Sequence, residues 1–255
     1  MNIGVIYYFI DNQYYFNRDG LYGFYDDAER YAFFSRAVLE VLPHLNFKPD
    51  IIHCNDWQTA LVPVYMDAFY KNDDFYKNIK TVFTIHNIQY QGKYGDELYG
   101  DVLGLPEDRK SILEYDGCIN FMKGAIQCAD KVTTVSPTYS REILDPYYSH
   151  GLDAILKEFT YKLTGIVNGI DTEVYNPETD NLIYKNYSVN KIKDKGVNKQ
   201  KLREELGLPQ TPDTAVIGIV TRLVKHKGID LVKCVFEELL KADVQFAILG
   251  SGEWE

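Results

Sequence analysis

The chain is poor in the residues that advertise metal, redox or membrane chemistry. Four cysteines in 255 residues, Cys54, Cys118, Cys128 and Cys234, show no CxxC pair and no histidine at metal-ligand spacing. That excludes a zinc-ribbon or thioredoxin-like motif and fits reduced, mostly buried thiols in a cytosolic protein. The longest apolar run, near Ile3–Ile10, is too short to span a bilayer. It also lacks the basic flank and small-residue cleavage site of a signal peptide. Cations are outnumbered, 27 Lys and Arg against 37 Asp and Glu, for a formal net charge of −10. Nucleic acid is therefore excluded as the main partner. Internal repeats and low-complexity tracts are absent as well.

What is present is a strand–helix alternation. Met1–Ile10 reads as a strand, followed by a polar, aromatic-rich loop to about Asp27. Its tyrosines and phenylalanines, from Tyr7 to Tyr31, suit either packing or stacking on sugar rings. From Ala28 an amphipathic helix is expected, with Phe34, Ala37, Val38, Val41, Leu42 and Leu45 on one face. Asp50–Cys54 reads as a buried strand, after which Asn55 and Asp56 are placed to cap a helix running to about Tyr70. Further strands are expected at Thr81–Ile85, Lys131–Val135 and Leu163–Val167, with a helix over Asn120–Ala129 and a helix start at Ser136-Pro137. From Asn176 to Gly196 the sequence is polar and aperiodic, a connector. A short helix over Lys199–Leu206, a buried strand at Ala215–Val220, a helix with Val232, Val235, Phe236, Leu239 and Leu240 on one face, and a strand at Val244–Leu249 follow. This order predicts an α/β protein with parallel sheets. Two strands and one crossover helix cannot cover both faces of a sheet, so the second domain is expected to be truncated.

Polar residues cluster where these strands end. Arg222 and Lys227 lie in the turn Thr221–Gly228 between an apolar strand and a helix, where two cations and free helix N–H groups suit a diphosphate. Solvated loop cations are the plainer alternative. His86-Asn87 follows the strand Thr81–Ile85, and Asp56 follows Asp50–Cys54. Asn168-Gly169-Ile170-Asp171 follows Leu163–Val167, its glycine suited to a tight turn or to close ligand approach. In open α/β sheets ligands bind beyond the carboxyl ends of the strands. Taken singly, an N-cap aspartate, a structural histidine and a turn glycine account for them. Together they point to a cleft between two α/β domains that takes a nucleotide sugar or phosphosugar.

Five segments then resemble one family in order. Asp50-Ile51-Ile52-His53-Cys54-Asn55-Asp56-Trp57-Gln58-Thr59-Ala60 is similar to the HxHDW segment of bacterial glycogen synthases and plant starch synthases. Thr81–Gly92 resembles their TxHNxxYQG stretch, Ala129–Tyr139 their ADxxTTVSPTY stretch, and Asn168–Asp180 their NGIDxxxWNPxTD stretch. Thr221-Arg222-Leu223 with Lys227-Gly228 resembles SRLxxQKG. Asn55 and Gln58 stand where histidines are common, and Tyr175 replaces the usual Trp.

The resemblance implies a GT-B-type α/β fold of two Rossmann-like domains. The first (1–180) lacks its N-terminal part, a connector covers 181–210, and the second (211–255) stops after about two strands. It implies a retaining, cytoplasmic glucosyltransferase that moves glucose from ADP-glucose to the non-reducing 4-OH of an α-1,4-glucan. No metal or other cofactor is implied, nor any nucleic-acid or membrane partner. Arg222 and Lys227 would stabilise the leaving diphosphate. His86 would steady the transferred glucose through its imidazole or backbone carbonyl. Asn87, Asn168 and Gly169 would contact sugar or phosphate, and Asp56 would lie near the acceptor or support the site. The family's KTGGL loop and EPCGL-type motif are missing, so the chain alone is expected to be inactive. A non-catalytic glucan-binding remnant and a UDP-glucose enzyme of the same fold are the alternatives.

Overall fold

The computed structural model describes residues 4–211 and 213–252, which fall into two compact units, the first ending at Asn168 and the second beginning at Gly169. In the first unit four strands, β1 (Ile51–Asn55), β2 (Lys80–Ile85), β3 (Lys131–Thr134) and β4 (Leu163–Gly165), form a parallel sheet in sequence order. Asn55 pairs with Thr84, Thr84 with Thr133, and Thr133 with Thr164. This register brings the carboxyl ends of all four strands to one edge. The α/β expectation is thereby met, since parallel neighbours require crossover segments on the faces.

Three helices line this sheet: α1 (Asp27–Val41), α2 (Leu61–Tyr65) and α3 (Phe121–Cys128). Phe83 and Ile85 on β2, and Phe121, Met122 and Ala125 on α3, are fully buried. Each of the large apolar side chains among them contributes about 1.5–3 kcal/mol by leaving water. Asn120 starts α3 by accepting the Lys123 N–H on Oδ1 at 3.0 Å. Lys162 completes its other end, donating from Nζ to the Gln127 and Ala129 carbonyls.

Several expectations need correction. The strand expected over Met1–Ile10 is not formed within Gly4–Ile10, which has no strand partner and leaves Val5, Ile6, Tyr7 and Phe9 exposed; Met1–Ile3 lie outside the described residues. An apolar run specifies a strand only where a partner offers hydrogen bonds. On α1 the buried residues are Asp27, Ala28, Arg30, Ala32, Ser35 and Leu39, so the expected face of Phe34, Ala37, Val38 and Val41 is only half-buried. The small side chains Ala28, Ala32 and Ser35 suit the close packing of α1 on α2. The segment after Asp56 is a composite: a 3-10 turn (Trp57–Thr59), α2, and a π turn (Met66–Tyr70). Of the four free cysteines Cys54 is buried, Cys118 and Cys128 are half-buried, and Cys234 is exposed. In the aromatic segment Tyr15, Phe16 and Phe33 pack together, while Tyr7, Tyr14, Tyr22 and Tyr25 stay exposed.

The second unit holds α4 (Lys195–Glu205), β5 (Ala215–Val220), α5 (Ile229–Leu239) and β6 (Val244–Leu249). β5 and β6 pair in parallel from Ala215↔Val244 to Val220↔Leu249. α4, the short helix expected over Lys199–Leu206, starts earlier, at Lys195, and is tied into this unit. Its buried Arg203 donates to Gln245 Oε1 at 2.7 Å and to the Thr214 carbonyl. β5 is half-buried, not buried as expected, with Val220 79% exposed. A two-stranded sheet with α5 packed on it through the Phe236–Phe246 ring pair leaves apolar groups in water.

Candidate functional site

In the first unit the site is built where β1 and β2 end. Asp56 follows β1 with a left-handed backbone (φ 56°) and donates its N–H to the Thr84 carbonyl at 3.0 Å. Its side chain makes no cap on the turn that follows, contrary to the N-cap expected. Asp56 Oδ1 instead accepts the backbone N–H of His86 at 2.9 Å. A non-glycine residue held at positive φ is strained, and strain of this kind collects at functional sites. Asn55, beside it, places Oδ1 at 2.9 Å from His86 Nε2. The Thr59 hydroxyl donates to the Asn55 carbonyl at 2.8 Å and steadies the turn.

The loop after His86 is held from several sides. Asn87 Oδ1 accepts the Gln89 N–H at 3.0 Å, which leaves its amide N–H₂ for a ligand. The Ile88 N–H reaches the Tyr139 hydroxyl at 3.3 Å, and burial raises the Tyr139 phenol, keeping it neutral. Buried Gln91 donates to the Ile88 and His150 carbonyls and accepts from Asn120 Nδ2 at 2.7 Å. His86 itself stays exposed on this braced loop. The result is a rigid strand-end platform with a solvent-facing imidazole and amide, suited to sugar hydroxyls.

At the end of β4, Asn168 and Gly169 are exposed. Gly169 has no left-handed φ, and a Cβ there would meet nothing within 4 Å, so the tight-turn reading of this glycine fails. Gly165 is different, since a Cβ on it would overlap the Ser136 carbonyl. Ser136 starts the following helical turn as expected, accepting the Tyr139 N–H at 2.9 Å.

In the second unit, Arg222 follows β5 and Lys227 closes a 3-10 turn (Lys225–Lys227) before α5. Both are exposed, and among the described residues neither side chain makes a hydrogen bond or ion pair. Gly228 holds φ 73° and reverses the chain into α5. Beside this turn runs Gly250-Ser251-Gly252, whose Ser251 carbonyl accepts the Leu223 N–H at 2.8 Å. A Cβ at Gly250 would overlap the Thr221 carbonyl, and one at Gly252 the Leu223 carbonyl.

Sequence reasoning placed Asp56, His86 and Asn87 in one region, and these are in contact or adjacent. It missed Asn55 and Tyr139 as partners of the His86 loop, for no local pattern announces a hydrogen bond across 31 or 51 residues. It also passed over Gly250 and Gly252, although a Gly-x-Gly directly after a strand signals close backbone approach. Among the described residues no group of three or more His, Cys, Asp or Glu side chains could hold a metal ion. No helix among them is long and apolar enough to cross a membrane.

Residues 1–158 match the family model of the starch synthase catalytic domain. The chain is 51% identical over 254 residues to a glycogen synthase of Anoxybacillus flavithermus, covering 99% of this chain and 52% of that protein. It is 49% identical over 253 residues to the glycogen synthase of Geobacillus stearothermophilus, covering 98% and 52%. Among solved structures it is similar to the catalytic domain of starch synthase IV from Arabidopsis thaliana bound to ADP and acarbose. That likeness has a TM-score of 0.85 at 37% identity, over 94% of this chain and 50% of the other. The chain thus spans about half the length of the curated relatives it matches.

Proposed function

Because the chain belongs to the starch synthase catalytic domain family, we propose that it carries part of the machinery of a retaining glucosyltransferase. The donor is ADP-glucose and the acceptor the non-reducing 4-OH of an α-1,4-glucan, glycogen or starch. The observation that carries this reading is the pair Arg222 and Lys227, two exposed cations that have no side-chain partner among the described residues, at a strand-to-helix turn. A diphosphate leaving group gains negative charge as the glycosidic bond breaks, and fixed cations lower the energy of that state more than the ground state. The starch synthase IV structure, bound to ADP and acarbose, supports an ADP-linked donor for this site.

The roles divide by chemistry. Arg222 and Lys227 stabilise the departing ADP; Asn168 and Gly169 let sugar or phosphate approach, Gly169 without a side chain in the way. His86, with Asn87, meets the transferred glucose, and Asp56 supports His86 from beneath. Glucose is delivered to the acceptor on the face from which ADP leaves, which retains the anomeric configuration. Four free cysteines fit a reducing compartment, the cytoplasm.

The test is a chimera in which this chain replaces the matching half of the Geobacillus stearothermophilus glycogen synthase. Incorporation of labelled glucose from ADP-glucose into glycogen is expected. A folded chimera that binds glycogen but transfers no glucose would overturn the catalytic reading.

A further inference from the structure

Consecutive residues at the end of β1 consume both hydrogen-bond donors of His86. Its backbone N–H goes to Asp56 Oδ1 at 2.9 Å, and its ring Nε2 faces Asn55 Oδ1 at 2.9 Å. An amide oxygen only accepts, so the proton of a neutral ring must sit on Nε2, and Nδ1 is left with a lone pair. Among the described residues nothing donates to His86 Nδ1 or to its carbonyl oxygen.

We infer that Asn55 is a positioning residue that holds His86 in the Nε2–H tautomer, so that His86 meets its ligand only as an acceptor, through Nδ1 and the backbone carbonyl. An acceptor-only group recognises hydroxyl hydrogens and repels anionic phosphate oxygens. The inference rests on the sugar-facing role proposed for His86 and sharpens it: that residue reads the hydroxyls of a glucosyl unit and makes no contact with the diphosphate. A histidine at position 55 would not select a tautomer, because either ring nitrogen of either partner could carry the proton. The asparagine in this chain removes that ambiguity. The Asn55 backbone is itself fixed, by the ladder pairing with Thr84 and by the Thr59 hydroxyl on its carbonyl.

The experiment is long-range ¹H–¹⁵N correlation of the histidine rings in the labelled 255-residue chain, at about pH 8, above the ordinary imidazole value of about 6.5. A His86→Gln variant assigns the signal among the five histidines. The Nε2–H pattern is expected for the wild type and for Asn55→Asp, which keeps the acceptor. In Asn55→Leu the ratio of Nε2–H to Nδ1–H should fall about three- to tenfold, the weight of one net hydrogen bond. An Nδ1–H pattern in the wild type, or an unchanged ratio in folded Asn55→Leu, overturns the proposal. Should Asn55→Leu not fold, Asn55→Asp decides, since a shift to Nδ1–H there overturns it equally. Maltotetraose and ADP-glucose are then added as probes. Movement of the His86 signals with Nε2–H retained supports the acceptor role. Retained Nε2–H with no response upholds Asn55 as the positioning residue and overturns the sugar-facing role of His86.

Discussion

Asp56 accepts the backbone N–H of His86 across 30 residues of sequence, and does so from a left-handed backbone at φ 56°. The carboxylate and the backbone angle can be separated by substitution. Asp56→Asn keeps an acceptor and a residue that tolerates positive φ, and should cost about 1 kcal/mol or less. Asp56→Gly relieves the angle but loses the acceptor, and Asp56→Ala loses the acceptor while keeping the Cβ at positive φ that the wild type has. For Asp56→Ala a loss of about 1.5–3 kcal/mol is expected, the weight of a hydrogen bond to a charged group, since the strain of a Cβ at positive φ is already present in the wild type. Urea unfolding followed by circular dichroism should rank the variants Asn, Gly, Ala in falling stability. Equal midpoints for Asn and Ala would mean that the His86 N–H contributes nothing there.

Two glycines four residues apart should behave oppositely. A Cβ on Gly165 would overlap the Ser136 carbonyl, which β3 and the helical turn after it hold in place. Backbone cannot yield as a flexible side chain can, so Gly165→Ala should destabilise by about 2–3 kcal/mol. Gly169→Ala meets open space and no backbone strain, and should leave stability within about 0.5 kcal/mol. If Gly169 serves close ligand approach, its alanine variant should instead raise KM for ADP-glucose in the chimera. Thermal melts of both variants, with donor kinetics for the second, check the pair.

Those contrasts mark how far the sequence can be read. The run Ala215–Val220 is legible to the residue, because six consecutive apolar or glycine positions between turn signals have one ordinary solution. The strand-end placement of Asp56, His86, Arg222 and Lys227 is legible too, since it follows from where apolar runs stop. Gly4–Ile10 shows the limit: its composition matches that of a strand, but strandhood depends on a neighbour that its own residues do not encode. Asp56 shows another. Local chemistry favours an N-cap, yet a donor thirty residues away, brought alongside by the β1–β2 register, claims the carboxylate. The bracing of the His86 loop by Tyr139, Gln91 and Asn120 is likewise a product of three-dimensional neighbourhood.

Alkali should unfold the first unit ahead of ordinary surface titration. Burial pushes the Cys54 and Cys128 thiols from 9.0 up to about 12, and raises the Tyr65 and Tyr94 phenols above their ordinary 10.0. In each case the folded state binds the proton more tightly than the unfolded one. Their stabilisation is therefore complete below the unfolded values of 9.0 and 10.0 and is lost as pH climbs toward the folded ones. Lys123 and Lys162 work against this, since burial lowers them from 10.5 and rising pH relieves the cost of their charge. The thiols and phenols outnumber them, so the net slope is downward. Urea midpoints should fall steadily between about pH 9 and about pH 11, and Cys54→Val should flatten the first part of that fall. A midpoint that is flat over this range would contradict the assignment.

Arg222 and Lys227 offer the sharpest separation of function from stability. Both are exposed and make no side-chain hydrogen bond or ion pair among the described residues, so Arg222→Ala and Lys227→Ala should change stability by no more than about 0.5 kcal/mol. Transfer should respond very differently. A cation that stabilises charge developing on the leaving diphosphate contributes about 3–4 kcal/mol to the transition state, a loss of roughly 10²–10³ in kcat. Arg222→Lys should recover only part of this, because an ammonium keeps the charge but not the two-pronged geometry that matches phosphate oxygens. Measured in the chimera at saturating ADP-glucose, the effect should fall on kcat, since charge that grows in the transition state is met less strongly in the ground state. A rise in KM with kcat intact would assign these residues to donor binding alone. Unchanged kinetics would return them to the plainer alternative of two solvated loop cations.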